Sequence, residues 1–395
     1  VIVTEVLMRP GSFRLDLSGD PVQGAPSWIL DELREALGWT GDPDTWTVSD
    51  GHIVVTAAPM PAHAMSLDAA LYTGRLTKQL GVHSFEGDGL AAWFGAPSKP
   101  GPFKDATITG TSDDLDDWID KILAVGTTGI TKGTITEPGG TLTSTWYWTT
   151  IAEQLDLVAS ALSAEWRINP DGTLDAGPAV NLFTDPPEVV ITASDGGEVS
   201  GALRGITGRV SSPAISAESR TSQVRVVGAG SGNAAVISAT TKTQVWRNIA
   251  GGNPDLERAV DAPQSRSAEA AALAAATKAL FLDPRFSFAV DVDSDRLRDY
   301  LQPGDSVYVY DPAAGIIGAD HVTYRGPIFP VTVRVQKMVW NVTEGHGVYL
   351  RRHDGSDAVY TDLTPYVQWP QAGCALTVGN GQGDGDNAVG GAARF

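Results

Sequence analysis

Apolar residues along this chain follow two rhythms. Over most of its length they alternate with polar residues or gather in short β-branched runs, the period-two signature of strands. Val1–Leu7 and Ser12–Leu17 read as the first two strands, with Arg9-Pro10-Gly11 as the turn between them. A short helix is predicted over Trp28–Leu37: Ser27 is placed to cap it, Ile29, Leu30, Leu33, Ala36 and Leu37 share one face, and Gly38 can end it. Thr45–Ser49 and His52–Thr56 flank Asp50-Gly51 and predict a hairpin. Ala69–Leu80 and Leu90–Phe94 read as strands around a Gly87-Asp88-Gly89 turn, before a loop punctuated by Pro97, Pro100 and Pro102.

The rhythm changes near Gly110. Leu115, Trp118, Ile119, Ile122 and Leu123 recur at helical spacing and predict a one-sided helix capped by Thr111 or Ser112. Asp113, Asp114, Asp116 and Asp117 crowd its first turn, where the helix dipole favours negative charge. A second helix is predicted over Thr150–Leu162, with Thr150 and Glu153 as a capping box and Ile151, Leu155, Val158 and Leu162 as its buried stripe. Glu165–Ile168, a turn at Asn169-Pro170-Asp171-Gly172 and a strand at Thr173–Asp175 complete a small α+β unit over about 110–185.

Strand rhythm then returns in Val189–Ala193, Gly205–Val210, Ser222–Val227, Ala235–Ala239 and Thr243–Asn248. An Ala-rich helix at Ser267–Phe281 interrupts it, stopping before Asp283-Pro284. Phe286–Val292, Ser306–Tyr310, Val331–Val339 and Gly347–Arg351 read as the last strands. The final thirty residues lose periodicity, and Gly379–Gly391 reads as a flexible or partner-dependent tail. The pattern is therefore mainly β with an α+β insertion.

Composition narrows the function. A chain of 395 residues suits two or three domains. Its formal charge of −19 argues against holding nucleic acid, which draws on clustered Lys and Arg. One cysteine, Cys374, rules out an intrachain disulfide framework. The opening lacks a basic segment followed by a long apolar run, so no secretory signal is expected, folding is expected in a cytoplasm, and no stretch is long and apolar enough for a membrane span. Arg outnumbers Lys 20 to 8, which with abundant Ala and Gly points to a GC-rich coding genome.

Candidate chemistry is sparse, and no catalytic, cofactor-binding or metal residue emerges. Val226–Val236 carries Gly228 and Gly230 in dinucleotide-loop positions, but Asn233 takes the third glycine's place and Ser238–Trp246 reads as strand, so a Gly-rich turn is expected. Asp291–Leu297 begins like a calcium loop yet has Arg296 where glycine is needed and Gln302 where glutamate is needed. Gly383–Asp386 resembles a single copy of a calcium-binding repeat, which cannot stack alone. His52, His63, His83, His321, His346 and His353 lack zinc-site spacing, and Cys374 has no histidine nearby in sequence. Trp118 and Trp166 fit core positions, while Trp146 and Trp148 would share a strand face. Arg351-Arg352-His353 reads as a solvated strand end or as a contact to an acidic neighbouring subunit.

Four segments, in their order and spacing, resemble the tail-hub family of long-tailed bacteriophages. Trp146–Leu174 resembles its inserted helix and strand–turn–strand, Ser222–Gly230 the strand opening its second barrel, Asp261–Leu280 its Ala-rich helix, and Tyr300–Pro312 its Pro-Gly-Asp turn entering a barrel strand. The resemblance spans about residues 1–365, and the phage it implies, given the codon clue, infects an actinobacterial host. It implies two tail-tube-like β-barrel domains, over 1–110 and 186–365, with the insert at 111–185; the Gly-rich tail at 366–395 has no counterpart in the family. It further implies a non-enzymatic homotrimer at the virion tail tip, without cofactors, whose six barrels adapt a six-fold tube to a three-fold tip and line the DNA channel. The implied partners are distal-tail or tube rings, the tape-measure C-terminus, and tip or fibre proteins, with DNA passing unbound. Two alternatives are a cell-wall hydrolase or carbohydrate-binding tail protein using Asp/Glu pairs and exposed Trp, and a cellular β-rich oligomeric binding protein.

Overall fold

The computed structural model describes residues 1–20, 24–38, 51–95, 108–125, 129–146, 150–162, 164–178, 189–192, 204–216, 221–230, 235–241, 257–261, 267, 270, 271, 274, 285–292, 297–310, 332–354, 357–371 and 373–379. The first part holds β1 (Ile2–Val6), β2 (Arg9–Asp16), α1 (Ser27–Ala36), β3 (His52–Thr56), β4 (Ala70–Gln79) and β5 (Ser84–Gly89). The middle holds β6 (Ile108–Asp113), α2 (Leu115–Leu123), β7 (Thr131–Ile135), β8 (Leu142–Trp146), α3 (Ile151–Leu162), β9 (Ala164–Ile168) and β10 (Thr173–Pro178). Then come β11 (Val189–Thr192), β12 (Arg204–Ser216), β13 (Gln223–Val227), β14 (Ile237–Ala239), β15 (Glu257–Asp261), β16 (Arg285–Val292), β17 (Ser306–Tyr310), β18 (Thr332–Asn341), β19 (Gly347–Asp354), β20 (Asp357–Asp362) and β21 (Cys374–Gly379).

Thirteen of these strands form one sheet, in the order β17-β11-β12-β16-β21-β18-β1-β2-β5-β4-β3-β19-β20. β17 pairs in parallel with β11 and also antiparallel with β18, so the first six strands form a circuit of pairings that returns on itself. Alternate residues explain why this circuit has an inside. Val189 and Ile191, Val290 and Val292, Val307 and Val309, Val333 and Val335, and Cys374, Leu376 and Val378 are all buried at period two. The other seven strands have no such closing pairing among the described residues, and an isolated bridge joins Leu17 to Val367. β1 and β18, paired from Ile2↔Asn341 to Val6↔Lys337, are the seam between the two runs. One continuous apolar core crosses that seam, from Phe13, Leu15 and Leu33 of α1 to Val290 and Leu376.

The middle segment has its own core. Leu115, Trp118, Ile119 and Ile122 of α2 pack against Ile151, Leu155 and Val158 of α3, with Trp146, Trp166 and Leu174 beside them. Asp114 caps α2 by accepting from the Asp117 amide at 3.0 Å, and Asp116 and Asp117 lie in its first turn. At α3, Thr150 Oγ1 accepts from the Glu153 amide at 3.3 Å and Glu153 returns the bond at 2.9 Å, so the predicted capping box is present. Gly172, at φ +89°, closes the predicted turn between β9 and β10. β13, β14 and β15 form a separate small sheet, whose Val224, Val226 and Val260 pack on the helical residues Ala270 and Ala274.

Several expectations need correction. The first turn lies at Leu7-Met8, and Arg9-Pro10-Gly11 belong to β2. Pro26, with no side-chain bond, precedes α1 in place of a Ser27 cap. Asp114, and neither Thr111 nor Ser112, caps α2, because β6 continues to Asp113. Gly87-Asp88-Gly89 end a strand instead of making a turn, and Leu90–Phe94 form a 3-10 helix. Gly87 is glycine for packing: a Cβ there would lie 2.0 Å from the Arg75 carbonyl oxygen and 2.3 Å from the Phe13 ring. Cys374–Gly379 is a central strand pairing with both β16 and β18, so the last thirty residues, which lose periodicity, still supply a strand to the sheet. The strand at Thr45–Ser49, its Asp50 turn residue, the strand at Thr243–Asn248, Trp148 and the Gly-rich stretch from residue 380 lie outside the described residues. The architecture is mainly β with an α+β insertion, as expected.

Candidate functional site

Charged residues mark the joints between these parts. Glu5 is the one acid in the apolar run Val1–Leu7, and it faces the seam. Its carboxylate accepts from Arg298 Nε at 2.6 Å and Nη2 at 3.0 Å, and from the Trp340 indole at 2.9 Å. Arg298 also donates to the Leu71 carbonyl at 2.6 Å, so one guanidinium ties β1, β4 and the 3-10 turn Leu297–Asp299 together. A bidentate charged pair of this kind is the strong form of the interaction. Tyr72 lies at the same junction; burial, then the Glu5 and Asp88 charges, push its phenol well above the usual tyrosine range.

A second group docks the α+β insert. Arg9 of β2 pairs with Asp156 of α3 at 2.7 Å, and the Trp166 indole donates to the same carboxylate at 3.1 Å. Arg167 of β9 reaches Asp305 at 3.3 Å, and Arg334 of β18 pairs with the fully buried Glu165 while donating to the Gly304 carbonyl at 3.1 Å. The Pro303-Gly304-Asp305 turn is thus the insert's landing point. Burial raises the Asp305 carboxyl, opposed by the Arg167 charge, and burial lowers Arg167. A shallow cleft lies above this junction, between the Leu7-Met8 turn, Leu90 and the Trp166–Pro170 segment.

These groups position; they do not form a nucleophile–base pair. Cys374 is buried, and desolvation pushes its thiol up to about 12, far from thiolate chemistry at neutral pH. His346 is buried against Thr343, and His52 stacks edge-on to Trp93 at 5.1 Å. Among the described residues no group of three or more His, Cys, Asp or Glu side chains could hold a metal ion. Asp291 is the next-to-last residue of β16 and residues 293–296 lie outside the described residues, so the calcium-loop reading has no described geometry. Gly228 and Gly230 sit in an antiparallel hairpin: the Gly228 amide donates to Val236 at 2.6 Å, with β14 and not a helix following. Trp118 and Trp166 are core residues, as their spacing predicts. Arg352 finds its acids inside the chain, pairing with Glu32 at 3.2 Å and Glu35 at 3.0 Å of α1, so for this residue neither the solvated end nor a neighbouring subunit is needed.

No protein-family model matches the chain, and no curated protein sequence does. Solved structures do. The 43 kDa tail protein of prophage MuSo2 from Shewanella oneidensis superposes with a TM-score of 0.50 at 12% identity, covering 97% of this chain and 93% of that one. The two chains share a fold. A tail protein from Neisseria meningitidis MC58 gives a TM-score of 0.47 at 14% identity over 86% of this chain and 94% of that one. Prophage tail protein gp18 from Listeria monocytogenes EGD-e gives 0.48 at 11% identity, over 97% and 88%.

Of the residues that sequence reasoning missed, Glu5, Arg298, Glu165 and Arg334, three share a readable signal. Glu5, Glu165 and Arg334 are charges set within stretches of core-forming residues, whereas Arg298 lies in the charged stretch Asp293–Asp299 and carries no such signal. A charge within a core-forming stretch persists only when a partner is brought to it by the fold.

Proposed function

We propose that this chain is a non-enzymatic structural protein of a phage tail tip: a hub whose three copies close into a ring between a six-fold tube and a three-fold tip. The observation that carries the reading is the six-strand circuit of pairings beside a second run of seven strands in one polypeptide. In this reading each run is a tube-like unit, so three copies present six. The first unit comes from residues 1–110 with β19 and β20 added, the insert from 111–185, and the second from 186–365 without β19 and β20 but with β21 added. Closing a ring also covers sheet edges that would otherwise stay open to non-specific pairing. The fold shared along nearly the full length with a prophage tail protein supports the same role.

The partners follow from that position: distal-tail or tube rings above, the tape-measure C-terminus within, and tip or fibre proteins below. Each copy brings a charge of −19. Acidic groups facing the channel repel phosphates, so DNA passes without sticking. Native mass spectrometry of the purified chain, alone and with neighbouring tail proteins, tests the reading. A species of three times 41.5 kDa is expected. A chain that stays single under every condition, or one that clears host peptidoglycan in a zymogram, overturns it.

A further inference from the structure

The turn between β1 and β2 has an unfavourable backbone. Val6 pairs with Arg9, so only Leu7 and Met8 join the two strands. Met8 lies at φ +58°, and Ser112 is the one other non-glycine residue at positive φ among the described residues. That left-handed region disfavours any residue with a Cβ, and tight turns that need it at their second position place Gly or Asn there. Two-residue hairpin loops also favour forms that set their first residue at positive φ, whereas here only the second is. A turn shaped by local preference alone would carry glycine at position 8.

Each turn residue is held by a different part of the molecule. Leu7 is buried, and its amide donates to the Gln336 carbonyl of β18 at 3.0 Å, which fixes it to the large sheet. Met8 packs against the core of the α+β insert. Its carbonyl accepts from Arg9 Nη1 at 2.7 Å, and the same nitrogen donates to Asp156 of α3 at 2.7 Å. Asp156 also accepts from the Trp166 indole of β9 at 3.1 Å. The insert therefore engages Met8 twice, through its side chain and, by way of Arg9, through its carbonyl. A backbone outlier persists only where its surroundings over-determine it.

We propose that the Leu7-Met8 turn is a strained latch: Met8 is the peg on which the insert seats, and the seated insert keeps Met8 in the left-handed region. Lifting the insert frees the Met8 side chain and the Arg9 clamp together, and the turn then relaxes. The latch has two arrangements, seated and strained or lifted and relaxed, and a partner that binds the lifted form better shifts the balance toward it. The latch lies within one chain and operates whatever the number of copies.

Two variants separate a peg from an ordinary turn. Met8→Gly removes the side chain and the strain together, while Met8→Ala removes most of the side chain and keeps the strain. Hydrogen exchange followed by mass spectrometry compares both with the parent in insert peptides covering Ile151–Leu162 and Ala164–Ile168. An ordinary turn is eased by glycine, and the insert would then exchange as slowly as in the parent or more slowly. The latch predicts the reverse: exchange in both peptides about tenfold faster in Met8→Gly and faster again in Met8→Ala. Peptides covering Ala70–Gln79 and Ser84–Gly89 should keep the parent rates. Unchanged insert exchange in Met8→Gly removes the peg, and Met8→Ala no faster than Met8→Gly removes the strain; either result overturns the latch. A rise shared equally by the β4 and β5 peptides is general loosening and overturns it too.

Discussion

Replacing Arg298 with Met keeps most of the side-chain volume and removes the charge at the seam between the two strand runs. Arg298 makes two charge-assisted bonds to Glu5 and one to the Leu71 carbonyl. Breaking one partner of a buried pair costs roughly 3–5 kcal/mol, because the other charge is left behind. The Glu5 side chain keeps 15% exposure and its bond from Trp340, so water and the indole recover part of that. The lower end, about 3 kcal/mol, is expected. Each 1.4 kcal/mol is tenfold, so local opening of β1 and β18 should become roughly a hundredfold more frequent. Hydrogen exchange followed by mass spectrometry reads this directly in peptides covering Ile2–Val6 and Thr332–Asn341. Glu5→Gln combined with Arg298→Met removes the stranded charge and should recover most of the protection. Unchanged exchange in Arg298→Met, or a double variant no better protected than the single one, would refute the view that this pair holds the seam.

Three further outcomes are expected. Cys374 should resist a thiol reagent at pH 8 in the folded protein and react once it is unfolded. Its folded pKa of about 12 stands above the ordinary value of 9.0, so the stability it contributes is complete below pH 9 and is lost as pH rises toward 12, a loss that Cys374→Ala should reduce in alkaline melting curves. Tyr72 is raised as well, so phenolate absorbance should show it titrating only when the fold opens above pH 10, and Tyr72→Phe should remove that step. Gly87→Ala should cost about 3 kcal/mol or more or abolish soluble folding, since its Cβ would meet backbone on one side and the Phe13 ring on the other; a variant with the parent melting temperature would contradict the packing described.

Much of this fold is legible from alternation and capping alone. The insert reads well because α2 and α3 carry strong one-sided patterns, and Thr150 and Glu153 sit at the capping-box spacing. Reading fails where tertiary contact decides. Gly87-Asp88-Gly89 has the composition of a turn, yet Gly87 is small because Phe13 and the Arg75 carbonyl press on it. β21 follows aperiodic sequence and precedes a Gly-rich stretch, but Leu376 and Val378 are drawn into the sheet by β16 and β18. β19 and β20 fall between β18 and β21 of the second run in sequence and join the first through β3, a long-range pairing that no local pattern encodes. The joints escape local reading for a similar reason: Glu5 and Arg298 are 293 residues apart, and Arg298 sits in a charged stretch that gives no sign of which member is buried.

The proposed hub carries two tube-like strand units side by side in each copy, so that a triplet stands in for a sextet. End-on electron-microscopy averages of the particle isolated at three times 41.5 kDa test it most directly. Six similar strand units surrounding one open channel are predicted. Three units, or a ring with no through-channel, would contradict the account.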